Sequence, residues 1–119
     1  MLVLGKFLYF AKGTSPPNAV GESILYPAES FEGAEPTGNT TLRLYFSPRI
    51  TSSFVEDEYE KVDLTITSIK HKEVMDSIIA EINSGSRDGG FITVADTPNS
   101  IFLNPNIISV ADIILTAAT

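Results

Sequence analysis

The side chains that usually carry covalent or acid–base chemistry are sparse: one histidine, no cysteine, and fifteen carboxylates among 119 residues. Without cysteine, disulfides, thiolate catalysis and zinc–thiolate sites are excluded. His71 lies between Lys70 and Lys72 at the start of an expected helix. A catalytic imidazole needs a nucleophile or carboxylate held against it, and the pattern around His71 supplies neither, so it reads as a surface residue of the first helical turn. A metal would have only carboxylates and carbonyls for ligands. The densest acidic run, Glu56-Asp57-Glu58-Tyr59-Glu60, could in principle hold a hard cation such as Ca²⁺. It lacks the Asp/Asn alternation and turn glycine of a calcium loop and reads as a solvated charge run. Gly85, Gly89 and Gly90 flank Arg87 and Asp88 with no Lys-Ser/Thr following, so they make a connection rather than a phosphate cradle. Asn39-Thr40-Thr41 fits an N-glycosylation acceptor, but it coincides with an expected turn that explains it. These residues point to a chain that is not an enzyme and needs no cofactor and no metal.

The candidate binding residues are of a different kind. Arg43 and Tyr45 share the outer face of one strand, where a cation and an aromatic ring could meet the phosphates and bases of a single-stranded nucleic acid, with Asn104 as a third contact. Cross-strand packing is the commoner fate of such a pair. The net charge of −7 and pI near 4.5 oppose RNA or DNA, and also anionic membranes, because the eight basic residues are scattered. RNA is therefore a disfavoured partner. The opening run Leu2 to Phe10 is interrupted by Gly5 and Lys6; it is too short to span a bilayer, is poor as a signal peptide, and reads as a first strand.

The elements that must position these residues are mostly strands. Residues 2–12 and 23–28 read as strands separated by the breaker Gly13-Thr14-Ser15-Pro16-Pro17-Asn18. Thr37-Gly38-Asn39-Thr40 has turn chemistry and joins a half-polar segment, 29–36, to Thr40–Phe46, in which Leu42, Leu44 and Phe46 alternate with Thr41, Arg43 and Tyr45. After a loop over 47–60, Val62, Leu64 and Ile66 define the inner face of a further strand. A helix is predicted from Lys70 to Asn83, with Ser68 as N-cap and Gly85 as the terminating residue. Val74, Met75, Ile78, Ile79 and Ile82 form its apolar stripe, whose full burial would contribute roughly 7–15 kcal/mol before entropy is subtracted. Strands follow at 91–96, 101–103 and 107–115, joined by turns at Thr97-Pro98-Asn99-Ser100 and Asn104-Pro105-Asn106. With no internal repeat, residues 1–119 make a single domain of six to eight strands and one helix. The class is mainly β with one helix (α+β), a small, strongly bent antiparallel sheet or barrel.

The last strand is apolar on both faces. In a chain this small that pattern implies the centre of a closed barrel or a subunit interface. Ile107, Ile108, Val110, Ile113 and Leu115 are therefore the expected oligomer contacts.

Two features carry a resemblance. Ile101-Phe102-Leu103-Asn104-Pro105-Asn106-Ile107-Ile108-Ser109-Val110 has the rhythm of the second motif of Sm-like proteins, in which a short aliphatic strand, a tight turn and a final strand zip subunits into a ring. Leu25-Tyr26-Pro27-Ala28, the hairpin Thr37 to Leu42, and His71-Lys72-Glu73-Val74-Met75 with Gly90-Phe91-Ile92 resemble small marine-phage, especially cyanophage, proteins, some with an Sm-like barrel. The resemblance implies a homo-oligomeric ring, its partners being itself and phage particle proteins, located in the cytoplasm of the infected bacterial cell or in the virion. A virion structural or decoration role is the alternative. Asn104-Pro105 stands where Sm-like RNA binders carry Arg-Gly, and the helix lies between strands instead of preceding them. A ring scaffold survives those departures more readily than uridine recognition does.

Overall fold

The computed structural model describes residues 5–13, 22–47, 59–83 and 90–115. They form eight strands and one helix: β1 (Phe7–Ala11), β2 (Ser23–Pro27), β3 (Phe31–Gly38), β4 (Thr41–Phe46), β5 (Glu60–Ile66), α1 (His71–Asn83), β6 (Phe91–Asp96), β7 (Ile101–Phe102) and β8 (Ile107–Ile114). The strands divide into two sheets of four, sheet A in the order β2-β1-β6-β7 and sheet B in the order β3-β4-β5-β8. The α+β class is as expected. The arrangement is two sheets with four ends, not one bent sheet or a closed barrel. One pairing is also parallel, β1 with β6, because the chain between them builds most of sheet B and the helix before it returns.

Sheet B follows from alternation. Leu42, Leu44 and Phe46 of β4 and Val62, Leu64 and Ile66 of β5 are fully buried, while Arg43, Tyr45, Asp63 and Thr65 face outward. The Asn39-Thr40 turn closes the β3–β4 hairpin as its residues predict. Inward residues of sheet A (Leu8, Phe10, Tyr26, Ile92, Val94) join those of sheet B, with Val74 and Ile78 of α1, in one continuous core.

The two sheets are joined most closely by an aromatic cluster. Tyr26 of sheet A stacks on Phe46 of sheet B with ring centroids 4.1 Å apart and planes 4° from parallel, and Phe10 meets both rings edge-on. The Tyr26 hydroxyl donates to Glu60 Oε1 at 2.6 Å, and both residues are wholly inaccessible to solvent. Glu60 thus leaves the acidic run in which the sequence places it: it opens β5 directly opposite Phe46 and is buried, not solvated. Residues 56–58 of that run lie outside the described residues.

The helix departs from its expected stripe in one place. Val74 and Ile78 are buried and Met75 and Ile82 partly so, but Ile79 is 46% exposed, because the contact surface is narrower than five residues require. The helix begins at His71, so Ser68 lies in the preceding turn and does not cap it. That turn holds Ile69 at φ 60°, with its amide bonded to Asn39 O at 2.9 Å and its side chain in solvent. His71 Nε2 lies 2.8 Å from Gly38 O and ties the helix start to the hairpin. The Gly85 terminator and the tip Ser86 to Gly89 fall outside the described residues. At Gly90, φ is +83° and a Cβ would lie 2.5 Å from Gly5 O, so only glycine lets β6 start against the residues that lead into β1.

Two variant sets test these assignments. Ile78→Asp should abolish cooperative folding, whereas Ile79→Asp should stay within about 0.5 kcal/mol of the parent in urea unfolding. Tyr26→Phe should cost about 1–3 kcal/mol, because it removes a donor from a buried carboxyl group, while Glu60→Gln, which keeps an acceptor, should cost less. Equal losses for these two substitutions would contradict the role assigned to the bond.

Candidate functional surfaces

The outer face of sheet B is charged and internally paired. The register aligns Glu35, Arg43, Asp63 and Asp112 in one row across β3, β4, β5 and β8. Arg43 donates two bonds to Asp63, from Nε at 2.7 Å and from a terminal nitrogen at 2.9 Å. This fork-to-carboxylate pairing holds the guanidinium proton more tightly than usual, so the Arg43 pKa is raised. Lys12 completes the row with Asp112 at 3.1 Å. Tyr45 donates its hydroxyl to Glu35 Oε1 at 2.6 Å, and that bond raises its pKa above the ordinary 10.0.

The three candidate nucleic-acid contacts are therefore differently placed. Arg43 and Tyr45 are neighbours, as their spacing implies, but the cation is engaged by Asp63 and the phenol by Glu35. Asn104 lies apart, in the β7–β8 turn, where its amide nitrogen donates to Ser77 of α1 and its oxygen accepts from the Asn106 amide. Asn104 is a turn-forming residue that fastens the turn to the helix.

The last strand carries its aliphatics differently from the expectation. Two register shifts, at Asp63/Leu64 and at Thr65/Ile66, each place an extra residue in β8. Ile107, Val110 and Ile113 consequently all turn inward at a spacing of three and are nearly fully buried in the chain's own core. Ile108 is left 53% exposed, and Leu115 packs partly against the core. β8 is an edge strand, not a barrel centre, and at mid-strand the Val110 amide donates to Thr97 Oγ1 at 2.9 Å, so the β6–β7 turn covers that part of the edge.

Sheet A presents the opposite kind of face. The accessible outward positions of β1, β2 and β6 are Phe7 and Tyr9, Ser23, Leu25 and Pro27, and Phe91 and Thr93, with no charge among them; the register continues this side to Ala11 and Asp96, both buried. Register places Tyr9 between Leu25 and Thr93, and Phe7 between Pro27 and Phe91. The Tyr9 and Phe91 rings are 5.4 Å apart, with Phe91 53% and Leu25 43% exposed. Sequence reasoning missed this face because every residue from Phe7 to Ala11 is apolar or aromatic, so no alternation marks which side faces out.

Among the described residues, no three His, Cys, Asp or Glu side chains are grouped to hold a metal ion, and no helix is long and apolar enough to cross a membrane.

The chain has no tryptophan, so its tyrosines can be titrated cleanly by absorbance. One of them, Tyr45, should ionise above 10.0, and Glu35→Gln should bring that step down. The folded state holds this proton more tightly than the unfolded chain does. Its contribution to stability is therefore complete below pH 10.0 and is lost as pH rises through the raised value.

No family model, curated protein or solved structure matches this chain.

Proposed function

We propose that this is a non-enzymatic, self-associating protein whose copies meet through the outer face of sheet A. The observation that carries the reading is the uncharged patch of Phe7, Tyr9, Leu25 and Phe91 on a chain of net charge −7. Two such chains repel over most of their surfaces. Meeting through this patch places no charge against another, and each charged sheet B, on the far side of the shared core, is then turned away from the contact. The contact moves from the last strand, as the sequence suggests it, to sheet A, since Ile107, Val110 and Ile113 are already spent inside the chain.

Size argues for a reversible assembly. Three strands spaced about 4.8 Å and five residues long cover roughly 240 Å², well under the ~800 Å² per partner of standard stable interfaces. Association should therefore be concentration-dependent unless a closed ring adds further contacts. In the phage setting implied by the sequence resemblance, repeated weak contacts of this kind suit a ring or a decoration of the particle. Mass spectrometry of purified particles separates the virion role from an intracellular one.

Sedimentation velocity from micromolar to near-millimolar concentration should show reversible self-association of the parent protein. Phe91→Glu should weaken it at least about tenfold with no loss of thermal stability, and Ile108→Glu should leave it unchanged. A parent protein that stays monomeric throughout that range would overturn the reading.

A further inference from the structure

A second surface lies on the edge of sheet B, independent of self-association through sheet A. Glu32, Gly33, Ala34, Glu35, Tyr45 and Tyr59 line an open groove of about 340 Å³ beside β3, the terminal strand. Its walls combine two carboxylates with two aromatic rings. Tyr45 and Tyr59 pack edge to face with centroids 5.9 Å apart, and Tyr59 is 41% exposed. Gly33 has φ +148°, a conformation that L side chains rarely adopt, so the backbone at this point of the groove favours glycine even though a Cβ would meet nothing within 4 Å.

The electrostatics select the occupant. Glu35 accepts from the Tyr45 hydroxyl and Glu32 from the Ser47 hydroxyl, at 2.6 Å each, and both donors are neutral. Among the described residues neither carboxylate has a basic partner within ion-pair distance; the nearby Arg43 gives its two bonds to Asp63. Two negative charges beside two aromatic rings attract a cation that can also lie against a π-face. A phosphate or carboxylate ligand would be repelled. A guanidinium satisfies both features, since it forms forked bonds to carboxylates and stacks on tyrosine.

We propose that this groove binds an arginine side chain of a basic peptide segment from a partner protein, with Glu32 and Glu35 taking the charge and Tyr59 covering the plane of the guanidinium. The groove's place beside β3, which ends its sheet among the described residues, suits an extended segment whose side chain reaches inward.

The test is calorimetric titration at low salt with an arginine tripeptide, its citrulline counterpart and tetramethylammonium. The arginine peptide should bind, weaken as salt rises, and lose about tenfold in affinity with each of Glu35→Gln and Tyr59→Ala, while both variants keep a cooperative thermal transition that shows them folded at the temperature of the titration. Glu32→Gln should weaken binding in the same direction. Equal binding of the citrulline peptide, tetramethylammonium binding as tight as the arginine peptide, or parent-like affinity in all three variants would each overturn the assignment.

Discussion

A carboxyl side chain wholly removed from water is expensive unless it is hydrogen-bonded. In this domain Glu60 is such a group, with the Tyr26 hydroxyl donating to it across the gap between the sheets. The bond fixes the height of the Tyr26 ring, and the ring in turn lies flat on Phe46, the residue paired with Glu60 across β4 and β5. Bond and stack together tie β2 of one sheet to β4 and β5 of the other. Once this junction is set, the alternating residues of each strand are sorted into core and surface, and the character of each outer face follows.

That sorting gives the two sheets unlike exteriors. Sheet B carries charges outward, among them the Arg43–Asp63 pair and Asp112, which Lys12 meets from just beyond β1. Sheet A carries aromatic and aliphatic groups on its accessible outer side, Phe7, Tyr9, Leu25 and Phe91. Under the proposed reading, the charged face keeps copies of a chain of this net charge apart and the uncharged face is where they meet. The edge groove beside Glu32 and Glu35 sits on the charged sheet, so the two proposed contacts use different surfaces.

Much of this was legible in the residues. The hairpin at Asn39-Thr40, the alternation in β4 and β5 and the helix ending at Asn83 all follow from turn chemistry and periodicity. The failures have physical causes. β8 seemed apolar on both faces because two bulges shift its phase, and a bulge driven by pairing with β5 leaves no mark on β8's own sequence. Ile79 fits the helical stripe by angle, but the depth of the contact is set by the sheets beneath. Glu60 looked like one member of an acidic run because nothing local marks its bond to Tyr26, 34 positions away. Asn104 lies in the turn that its Asn-Pro-Asn sequence predicts, but its bond to Ser77, 27 positions away, has no local signal. The sheet A face was hidden by a strand whose every residue is apolar or aromatic.

The claim that copies of this chain meet through the uncharged sheet is most directly tested by residue-resolved NMR over a dilution series. Resonances of Phe7, Tyr9, Leu25, Phe91 and Thr93 should move together with concentration and define one binding curve, while those of Arg43, Asp63 and Ile108 stay fixed. Concentration-dependent shifts confined to the last strand, or none anywhere, would contradict it.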